Sequence, residues 1–385
     1  MPDRIYLDHN ATTPVDPRVL EKMLPYFTEI YGNAASNDHD FGYEAKKAVD
    51  KAREQIAHAI NAKPEEIIFT SGATESDNIA LRGIAEKYVH KGDHIITCVT
   101  EHKAVLDVCE KLEKLGKKIT YLPVDQYGMV DPEDVKKAIT PGTVLISLMF
   151  ANNEIGTIHP IEEIGKIAAE HDVFFHTDAA QAVGHLPIDV QKMNIHLMSM
   201  SGHKIYGPKG VGALYRKKSN PRVEIEPIIF GGGHERGVRS GTLNVPAIVG
   251  FGEAVKIGGK EMKKENIKYR EWADYILTEL KKEVPDIKLN GHPEHRLPNN
   301  LNISIPGIES RALIVKLKDV ALATGSACTS AKVEPSHVIQ SLGFGDGRAH
   351  NAIRISFGRK NIQTEINQAT ESVLDQISKL NLFKV

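Results

Sequence analysis

The sequence predicts an α/β protein: a large domain with a mostly parallel sheet covered on both faces, and a smaller α+β domain towards the C-terminal end. Two features lead to this fold class. In the first part of the chain, short apolar runs typical of strands buried on both faces alternate with longer amphipathic stretches. After about residue 245 this alternation ends and a different mixture of elements begins. A length of 385 residues also favours two domains.

The elements of the first part follow from these runs. Strands are predicted at 66–70, 94–99, 144–149, 173–176, 196–200 and 211–215. Helices are predicted near 43–60, 75–90, 103–115, 131–139 and 161–170. One of these helices has a well-marked start, because Asp131 is a favourable N-cap and Pro132 suits the first helical position.

The second part contains a long polar helical stretch and a set of shorter elements. The long stretch runs from Val245 to about Glu283, with an interruption predicted at Gly258 and Gly259. Further apolar runs lie at 299–307 and 353–359, and helices are predicted near 309–318 and 363–380. Between them, the stretch 325–347 is rich in Gly, Ser, Thr and Pro and is interpreted as a functional loop.

Composition excludes several functional classes. The chain is 41% hydrophobic and 25% charged with a net charge of −2, so no strongly basic field favours direct nucleic-acid binding. Its three cysteines, Cys98, Cys109 and Cys328, form neither a disulfide framework nor a CxxC metal pair. The N-terminal residues carry charges where a signal peptide needs an apolar core, and no apolar stretch approaches a membrane span. We therefore expect a cytoplasmic protein without a membrane segment and without a resident metal.

Polar residues follow several of the predicted strands, where open α/β sheets bind their ligands. Ser71 to Glu75 joins a strand to a helix, which suits either a phosphate at free backbone N–H groups or simply a tight capped turn. Asp178 ends another strand and could keep a cationic ring nitrogen protonated, although an Asp there also caps helices. His102 follows a third strand and could stack on a ring or move a proton.

A lysine lies just past the predicted strand 196–200. Lys204 is surrounded by glycines and follows a buried strand, so its amine could be desolvated and nucleophilic. Lys209 is the competing candidate, between Pro208 and Gly210 in a predicted turn. Lysines are usually exposed, and either could instead be a loop residue.

Two more segments have functional potential. Cys328 lies among small polar residues, whereas Cys98 falls in a strand and Cys109 in a helix; an accessible reactive thiol is therefore expected at Cys328. The glycine-rich segment 231–242 suits an anion-binding loop or a flexible connection. Because no P-loop and no GxGxxG follows a strand, nucleotide binding is poorly supported.

Taken in order, these segments resemble the cysteine desulfurases of the NifS/IscS type. These enzymes belong to the class V group of pyridoxal-phosphate (PLP) enzymes with the fold-type-I aminotransferase architecture. The resemblance rests on YLDHNATTP (6–14), SGATESDN (71–78), TEHKAV (100–105), NNEIG (152–156), SGHKIYGPKG (201–210), GGGHERG (231–237), RSGT (239–242), GSACTS (325–330) and IRISFGR (353–359). It implies a seven-stranded sheet in a large domain of residues 14–258, and a small domain of residues 1–13 and 259–385.

The resemblance also implies a role for each site residue. Lys204 would form the Schiff base with the cofactor, His102 would stack on its ring, Asp178 would pair with the ring nitrogen and Gln181 would hydrogen-bond the ring oxygen. The other implied roles are phosphate binding by Ala73, Thr74, Ser201 and His203, phosphate binding in the neighbouring subunit by Thr242, and binding of the substrate carboxylate by Asn153, which also borders the cofactor, and Arg354.

The implied reaction converts L-cysteine into L-alanine. The Lys204 amine would remove the α-proton, and the Cys328 thiolate would take the substrate sulfur as a persulfide. A homodimer and transfer to an iron–sulfur scaffold protein or another acceptor are implied as well, with transient ligation of a cluster by Cys328. Another class V reaction, such as a selenocysteine lyase or a small-substrate aminotransferase, is the main alternative. A delivery protein without catalysis is the alternative from another class.

Overall fold

The computed structural model describes residues 4–324 and 335–382. Its strands are β1 Ile5–Tyr6, β2 Ile67–Thr70, β3 His94–Cys98, β4 Lys118–Leu122, β5 Thr143–Ser147, β6 Phe174–Asp178, β7 Leu197–Ser201, β8 Gly212–Arg216, β9 Lys288–Asn290, β10 Asn300–Ser304, β11 Val320–Ala321 and β12 Ala352–Ser356. Its α-helices are α1 Pro17–Met23, α2 Pro25–Thr28, α3 Asp40–Ala59, α4 Ala73–Lys87, α5 Lys103–Lys114, α6 Pro132–Ala138, α7 Ile161–Glu170, α8 Val245–Glu283, α9 Ser310–Lys316, α10 His337–Gln340, α11 Asp346–His350 and α12 Gln363–Leu382. Short 3₁₀ helices lie at Pro64–Glu66, Gly202–Lys204 and Glu235–Gly237.

The central sheet has seven strands in the order β2-β8-β7-β6-β5-β3-β4. Every neighbouring pair is parallel except the two pairs that β8 makes with β2 and β7. This confirms the predicted α/β class with a mostly parallel seven-stranded sheet. The carboxyl ends of the other six strands lie along one edge, which is where the site is built.

Helices cover both faces of this sheet because its strand side chains alternate between them. Ile67 and Phe69 of β2 point to a core that also contains α1, α3, α7 and the first half of α8. Ile68, between them, belongs to the opposite core with α4 and α5. Both faces are therefore buried, as the continuous apolar runs predict.

A second group of elements has its own core. Strands β12, β10 and β9 form an antiparallel sheet, and β1 pairs with β11 in parallel. Their core takes Ile5 and Leu7 from the N-terminal end, together with residues of the second half of α8 and of α12. Along α8 the buried residues change from the first core, which ends with Ile257, to this one, which begins with Tyr269. The predicted domain bounds at 13/14 and 258/259 stay a prediction.

Three local predictions are wrong. Strand β4 was missed because it is an edge strand that begins with Lys118 and is exposed or half-buried until Leu122. Gly258 and Gly259 do not interrupt α8, which is continuous from Val245 to Glu283. The predicted loop 325–347 contains the helix α10 and the first two residues of α11 in the part that the structure describes. In residues 4–324 and 335–382, no helix combines the length and apolarity that crossing a bilayer requires.

Candidate active site

A cavity of about 530 Å³ lies at the carboxyl ends of the sheet strands. This volume is within the range of cofactor and small-molecule sites. It brings together side chains from well-separated segments, and among its lining residues are nine of those predicted from the sequence: Ala73, Thr74, His102, Asn153, Asp178, Gln181, Ser201, His203 and Lys204.

One end of the cavity suits an anion. Strand β8 lies between β2 and β7, and its Gly212 pairs with the last residues of both strands, Thr70 and Ser201. A Cβ at Gly212 would lie 2.4 Å from the Met200 carbonyl oxygen, so only glycine permits this close packing. Helix α4 begins at Ala73 without a side-chain cap, and its first backbone N–H groups therefore suit a bound phosphate.

His203 borders the same end and is held in a fixed orientation. Its Nδ1 lies 3.0 Å from the Thr12 hydroxyl, and its backbone carbonyl accepts hydrogen bonds from the Thr13 amide and hydroxyl at 2.9 Å each. Burial, together with the charges of Lys204 and Lys209, lowers the pKa of His203 to about 4. The imidazole is thus neutral near pH 7 and can serve as a hydrogen-bonding group for an anion.

Lys204 ends the 3₁₀ turn that follows β7 and is half-buried. Its Nζ donates hydrogen bonds to the carbonyl oxygens of Asn10 and Ala11, at 2.8 and 2.9 Å. Lys209 also borders the cavity, but it is exposed. The enclosed position of Lys204 favours it over Lys209 as the reactive amine.

A buried carboxylate lies on another wall of the cavity. Asp178 ends β6, and its Oδ1 accepts a hydrogen bond of 2.9 Å from the Ala180 amide. Burial raises the pKa of Asp178, while the charges of His102 and Lys204 and the Ala180 amide oppose that rise. A cationic ring nitrogen next to this carboxylate would add a further charge that keeps it ionised.

Asp77 and Glu101 lie behind Asp178 and are fully buried. Burial first, and then the charge of Asp178, raises the pKa of Asp77 well above its ordinary value. Burial also raises the pKa of Glu101 to about 8, with a further rise from Asp178. Glu101 therefore holds its proton near pH 7, and burial favours the neutral acid at Asp77 as well. Burial lowers the pKa of His176, whose Nε2 is 3.6 Å from the Asp77 Oδ1, to about 3.

His102 and Gln181 are each oriented by a neighbour. His102 is the N-cap of α5, and its Nδ1 accepts a hydrogen bond of 3.1 Å from the Ala104 amide, so the proton of the neutral ring is on Nε2. The Gln181 amide exchanges two hydrogen bonds with Asn10: the Gln181 Nε2 donates to the Asn10 carbonyl at 2.9 Å, and the Asn10 Nδ2 donates to the Gln181 Oε1 at 2.8 Å.

The predicted carboxylate-binding residues are in contact, but only one of them lines the cavity. Arg354 on β12 is fully buried, and its Nη1 donates to the Asn153 carbonyl at 3.0 Å. Its Nη2 donates to the Asp8 Oδ1 at 2.6 Å. Asn153 lines the cavity, whereas Arg354 lies behind it.

Thr242 and Cys328 are the two remaining predicted residues. Thr242 is exposed and does not line the cavity of its own chain. Cys328 lies outside the described residues. Within residues 4–324 and 335–382, no cluster of three or more His, Cys, Asp or Glu side chains has a metal-binding arrangement.

The sequence reasoning also missed residues of the site. Asn10 and Asp8 belong to the quoted N-terminal motif, but nothing local indicates that they contact residues more than 150 positions away. In the sequence, Asp77 is one of several polar residues of a predicted helix, and its type alone does not indicate a role in the site. A charged residue on the sheet-facing side of α4, among Ile79, Ala80 and Ile84, is the signal that could have found it.

The donor set fits PLP. Backbone N–H groups, a serine and a neutral histidine surround the anion-binding end, a lysine amine borders the cavity, and Asp178 supplies a buried carboxylate. These groups match, respectively, the phosphate, the aldehyde carbon and the pyridine nitrogen of the cofactor.

Comparisons with known proteins agree with this geometry. The model of the family "Aminotransferase class-V" matches residues 5–369. The chain is 52% identical over 376 residues to the "Cysteine desulfurase IscS" of Rickettsia rickettsii, covering 98% of this chain and 92% of that protein.

Two solved structures are also similar. A "NIFS-LIKE PROTEIN" superposes with a TM-score of 0.91 at 37% identity, covering 97% of this chain and 99% of that one. The structure "SspA in complex with cysteine" gives a TM-score of 0.81 at 37% identity, covering 93% and 100%. The match over nearly the whole length shows that this chain belongs to the class-V aminotransferase family of PLP-dependent enzymes.

Proposed function

We propose that the protein is a cysteine desulfurase, which converts L-cysteine into L-alanine and passes the sulfur to Cys328 as a persulfide. The names of the relatives confirm the reaction class expected from the sequence. The observation that carries the proposal is the common cavity of Lys204, His102, Asp178 and the anion-binding turn before α4.

Lys204 is the proposed base. Its Nζ would carry the cofactor and, once released by the substrate amine, would remove the proton from the substrate α-carbon. When bound, PLP supplies an electron-accepting ring that stabilises the charge left on that carbon. The Asp178 carboxylate would hold a proton at the ring nitrogen, and His102 would stack on the ring.

The phosphate would be held by Ala73, Thr74, Ser201 and His203. Thr242 is proposed to reach the phosphate of the neighbouring subunit, since it is exposed and lies away from the cavity of its own chain. The functional unit would then be a homodimer in which each site includes one residue of the other subunit.

Asn153 and Arg354 are proposed to hold the substrate carboxylate. The Arg354 guanidinium already binds one carboxylate, that of Asp8. Substrate binding would exchange the Asp8 carboxylate for that of cysteine, so that the buried positive charge stays paired throughout. Gln181 would turn its Nε2 from Asn10 to the ring oxygen.

The sulfur on Cys328 would pass to an iron–sulfur scaffold protein or another thiol acceptor. A cytoplasmic location, where thiols stay reduced, is proposed from the sparse cysteines, of which Cys98 and Cys109 are free and buried.

The experiment that tests this function measures alanine and sulfide from L-cysteine with PLP and a thiol reductant. Wild type should form the two products in equal amounts, whereas Lys204→Ala and Cys328→Ser should form neither, and Cys328→Ser should keep the visible absorbance of bound PLP. Cys109→Ala is the matched control and should stay active. If Cys328→Ser turned over at the wild-type rate, Cys328 would not be the acceptor and the proposed reaction would be wrong.

A further inference from the structure

The segment 231–242 contacts the anion-binding end of the cavity through one ion pair, between Arg239 and Glu75. We propose that Arg239 is a positioning residue for the phosphate of the cofactor: it neutralises the Glu75 carboxylate on the wall of the phosphate site and holds the segment that leads to Thr242. This inference rests on the proposed function, because it takes the turn before α4 to be the phosphate site.

Glu75 places a negative charge where a phosphate would bind. It is the third residue of α4 and lines the cavity, and 13% of its side chain is exposed. Its Oε2 accepts a hydrogen bond of 2.9 Å from the Ser71 amide, and its Oε1 accepts one of 2.8 Å from the Arg239 Nε. Burial favours the neutral acid, but hydrogen bonds from Arg239 and Ser71 outweigh it and lower the pKa of Glu75. The carboxylate is therefore charged near pH 7.

A charged carboxylate beside a phosphate repels it unless a cation compensates. Arg239 supplies that cation through the Nε contact and a second, longer contact of 3.4 Å between its Nη2 and the Glu75 Oε2. Only 20% of the Arg239 side chain is exposed, so solvent screens the pair less than it screens a surface pair.

The position of Arg239 is fixed from the other side by a buried anchor. The Arg53 guanidinium donates to both carboxylate oxygens of Glu235 at 2.7 and 2.8 Å, and the Phe69 amide donates to the same carboxylate at 2.7 Å. Glu235 and Arg236 have φ values of 46° and 58°, which side-chain-bearing residues adopt only where the surroundings enforce them. The segment is thus held at Glu235 against the edge strand β2 and reaches back to α4 through Arg239.

An ordinary salt bridge between partly exposed residues would contribute little and would have no relation to phosphate. A phosphate-positioning role and a purely structural role of the Arg239–Glu75 pair therefore predict different results when first one and then both charges are removed. If Arg239 compensates Glu75, the loss of Arg239 alone exposes the phosphate to an unpaired carboxylate, and the further change Glu75→Gln removes the repulsion. If the pair is only structural, its loss weakens the binding of the cofactor with and without its phosphate alike.

The test measures the affinity of the full-length chain for PLP and for pyridoxal, which lacks the phosphate, by visible absorbance. Arg239→Gln should weaken PLP binding by about tenfold or more and leave pyridoxal binding unchanged. The double variant Glu75→Gln/Arg239→Gln should recover most of the PLP affinity. The matched control is Arg82→Gln, which breaks the exposed Arg82–Glu86 pair on the same helix and should not alter PLP binding.

Three results would overturn the inference: wild-type PLP affinity in Arg239→Gln, equal weakening of PLP and pyridoxal, or no recovery in the double variant. Urea unfolding of each variant shows whether it is folded, and pyridoxal binding, which a folding defect would weaken as well, separates a loss of phosphate affinity from a loss of structure. A wild-type chain that did not bind PLP at all would instead contradict the proposed function. If the wild-type chain bound PLP and had desulfurase activity, any of the three results above would contradict only the role of Arg239.

Discussion

Asn10 connects the groups that would handle the cofactor. Its carbonyl oxygen accepts hydrogen bonds from both the Lys204 Nζ and the Gln181 Nε2. Its side chain binds the Gln181 Oε1 through Nδ2 and accepts a hydrogen bond of 3.2 Å from Asn300 through Oδ1. Asn10 thereby orients the Lys204 amine and the Gln181 amide and connects both to strand β10.

The choice between Lys204 and Lys209 leads to a direct chemical prediction. Borohydride reduction of the PLP-loaded protein should attach the cofactor covalently to Lys204, because that amine is half-buried in the cavity whereas Lys209 is exposed. Peptide mass mapping locates the attachment. Attachment of the cofactor to Lys209 in the wild-type protein would contradict the assignment of Lys204 as the reactive amine. Attachment to Lys209 at the wild-type yield in a Lys204→Ala variant would contradict it as well.

The buried Glu101 predicts a specific pH dependence of stability. Its pKa is about 8 in the folded protein, above the ordinary 4.5, so the folded state binds the proton more tightly than the unfolded state between these values. The free energy of unfolding should therefore fall as the pH rises through this window, with a limiting slope of about 1.4 kcal/mol per pH unit. Glu101→Gln removes this contribution.

Urea unfolding of the cofactor-free protein at pH 5, 6.5 and 8 measures the effect. Relative to wild type, Glu101→Gln should gain stability steadily across the series, since glutamine keeps the Met149 hydrogen bond without a titrating proton. A difference between the two proteins that does not change with pH would show that Glu101 titrates normally.

The residues that face the cavity could be predicted because they follow predicted strands. The residues that hold them in place could not. Lys204, Asp178 and His102 all follow apolar runs, and the geometry of a parallel sheet brings such ends together. The contacts of Asn10 with Lys204, and of Asp8 with Arg354, join residues 194 and 346 positions apart. No local pattern encodes them, because they depend on how the N-terminal segment packs.

Helix α8 shows why glycines alone do not break a helix. Gly258 lies where the helix passes the backbone of Gly184, and an added Cβ would be 3.2 Å from the Gly184 Cα. Gly252 packs more tightly against α3, with an added Cβ only 2.7 Å from the Ala52 Cα. Gly259 has open space around it. Packing against the first core thus explains two of the glycines and maintains the helix through all three.

Two substitutions in α8 should therefore have opposite effects. Gly259→Ala should raise the free energy of unfolding by about 0.5–1 kcal/mol, because alanine has the higher helix propensity and meets no neighbour. Gly252→Ala should lower it by about 1–3 kcal/mol through overpacking against α3. Urea midpoints of the two variants, measured beside wild type, test this. A stabilising Gly252→Ala, or a strongly destabilising Gly259→Ala, would contradict the packing described for α8.

Three of the elements that the sequence did not predict, β4, α10 and α11, have a weak local signal. Strand β4 is an edge strand and lacks the continuous apolar run of the other sheet strands, because Lys118 and Thr120 interrupt it. Helices α10 and α11 have four and five residues, too short for a helical period to be seen. Both follow the Gly- and Ser-rich segment, whose composition led to a loop prediction for the whole stretch.

The two groups of elements meet at the site. Lys204 and Asp178 lie at the end of the large sheet, whereas Arg354 comes from β12 of the small one and reaches Asn153 across the boundary. Thr242 would add a residue from a second chain. The proposed enzyme would therefore need both parts of one chain and the segment 231–242 of another.

Mixed dimers test the contribution of Thr242. Thr242→Asp should abolish activity through charge repulsion with the phosphate, and Lys204→Ala should abolish it through loss of the amine. A purified dimer of one Lys204→Ala and one Thr242→Asp subunit should recover about half of the wild-type activity, since one of its two sites then has both native residues. If Thr242 served its own chain, neither site would be intact and the mixed dimer would be inactive.

The most direct test of the central claim is to find the sulfur after a single turnover. The PLP-loaded protein is mixed with one equivalent of L-cysteine without reductant, and the products are analysed by mass spectrometry. We expect one alanine per active site and a mass increase of one sulfur atom on the peptide containing Cys328, with none on those containing Cys98 or Cys109. Alanine formed without added sulfur on Cys328, or no alanine at all, would contradict the account.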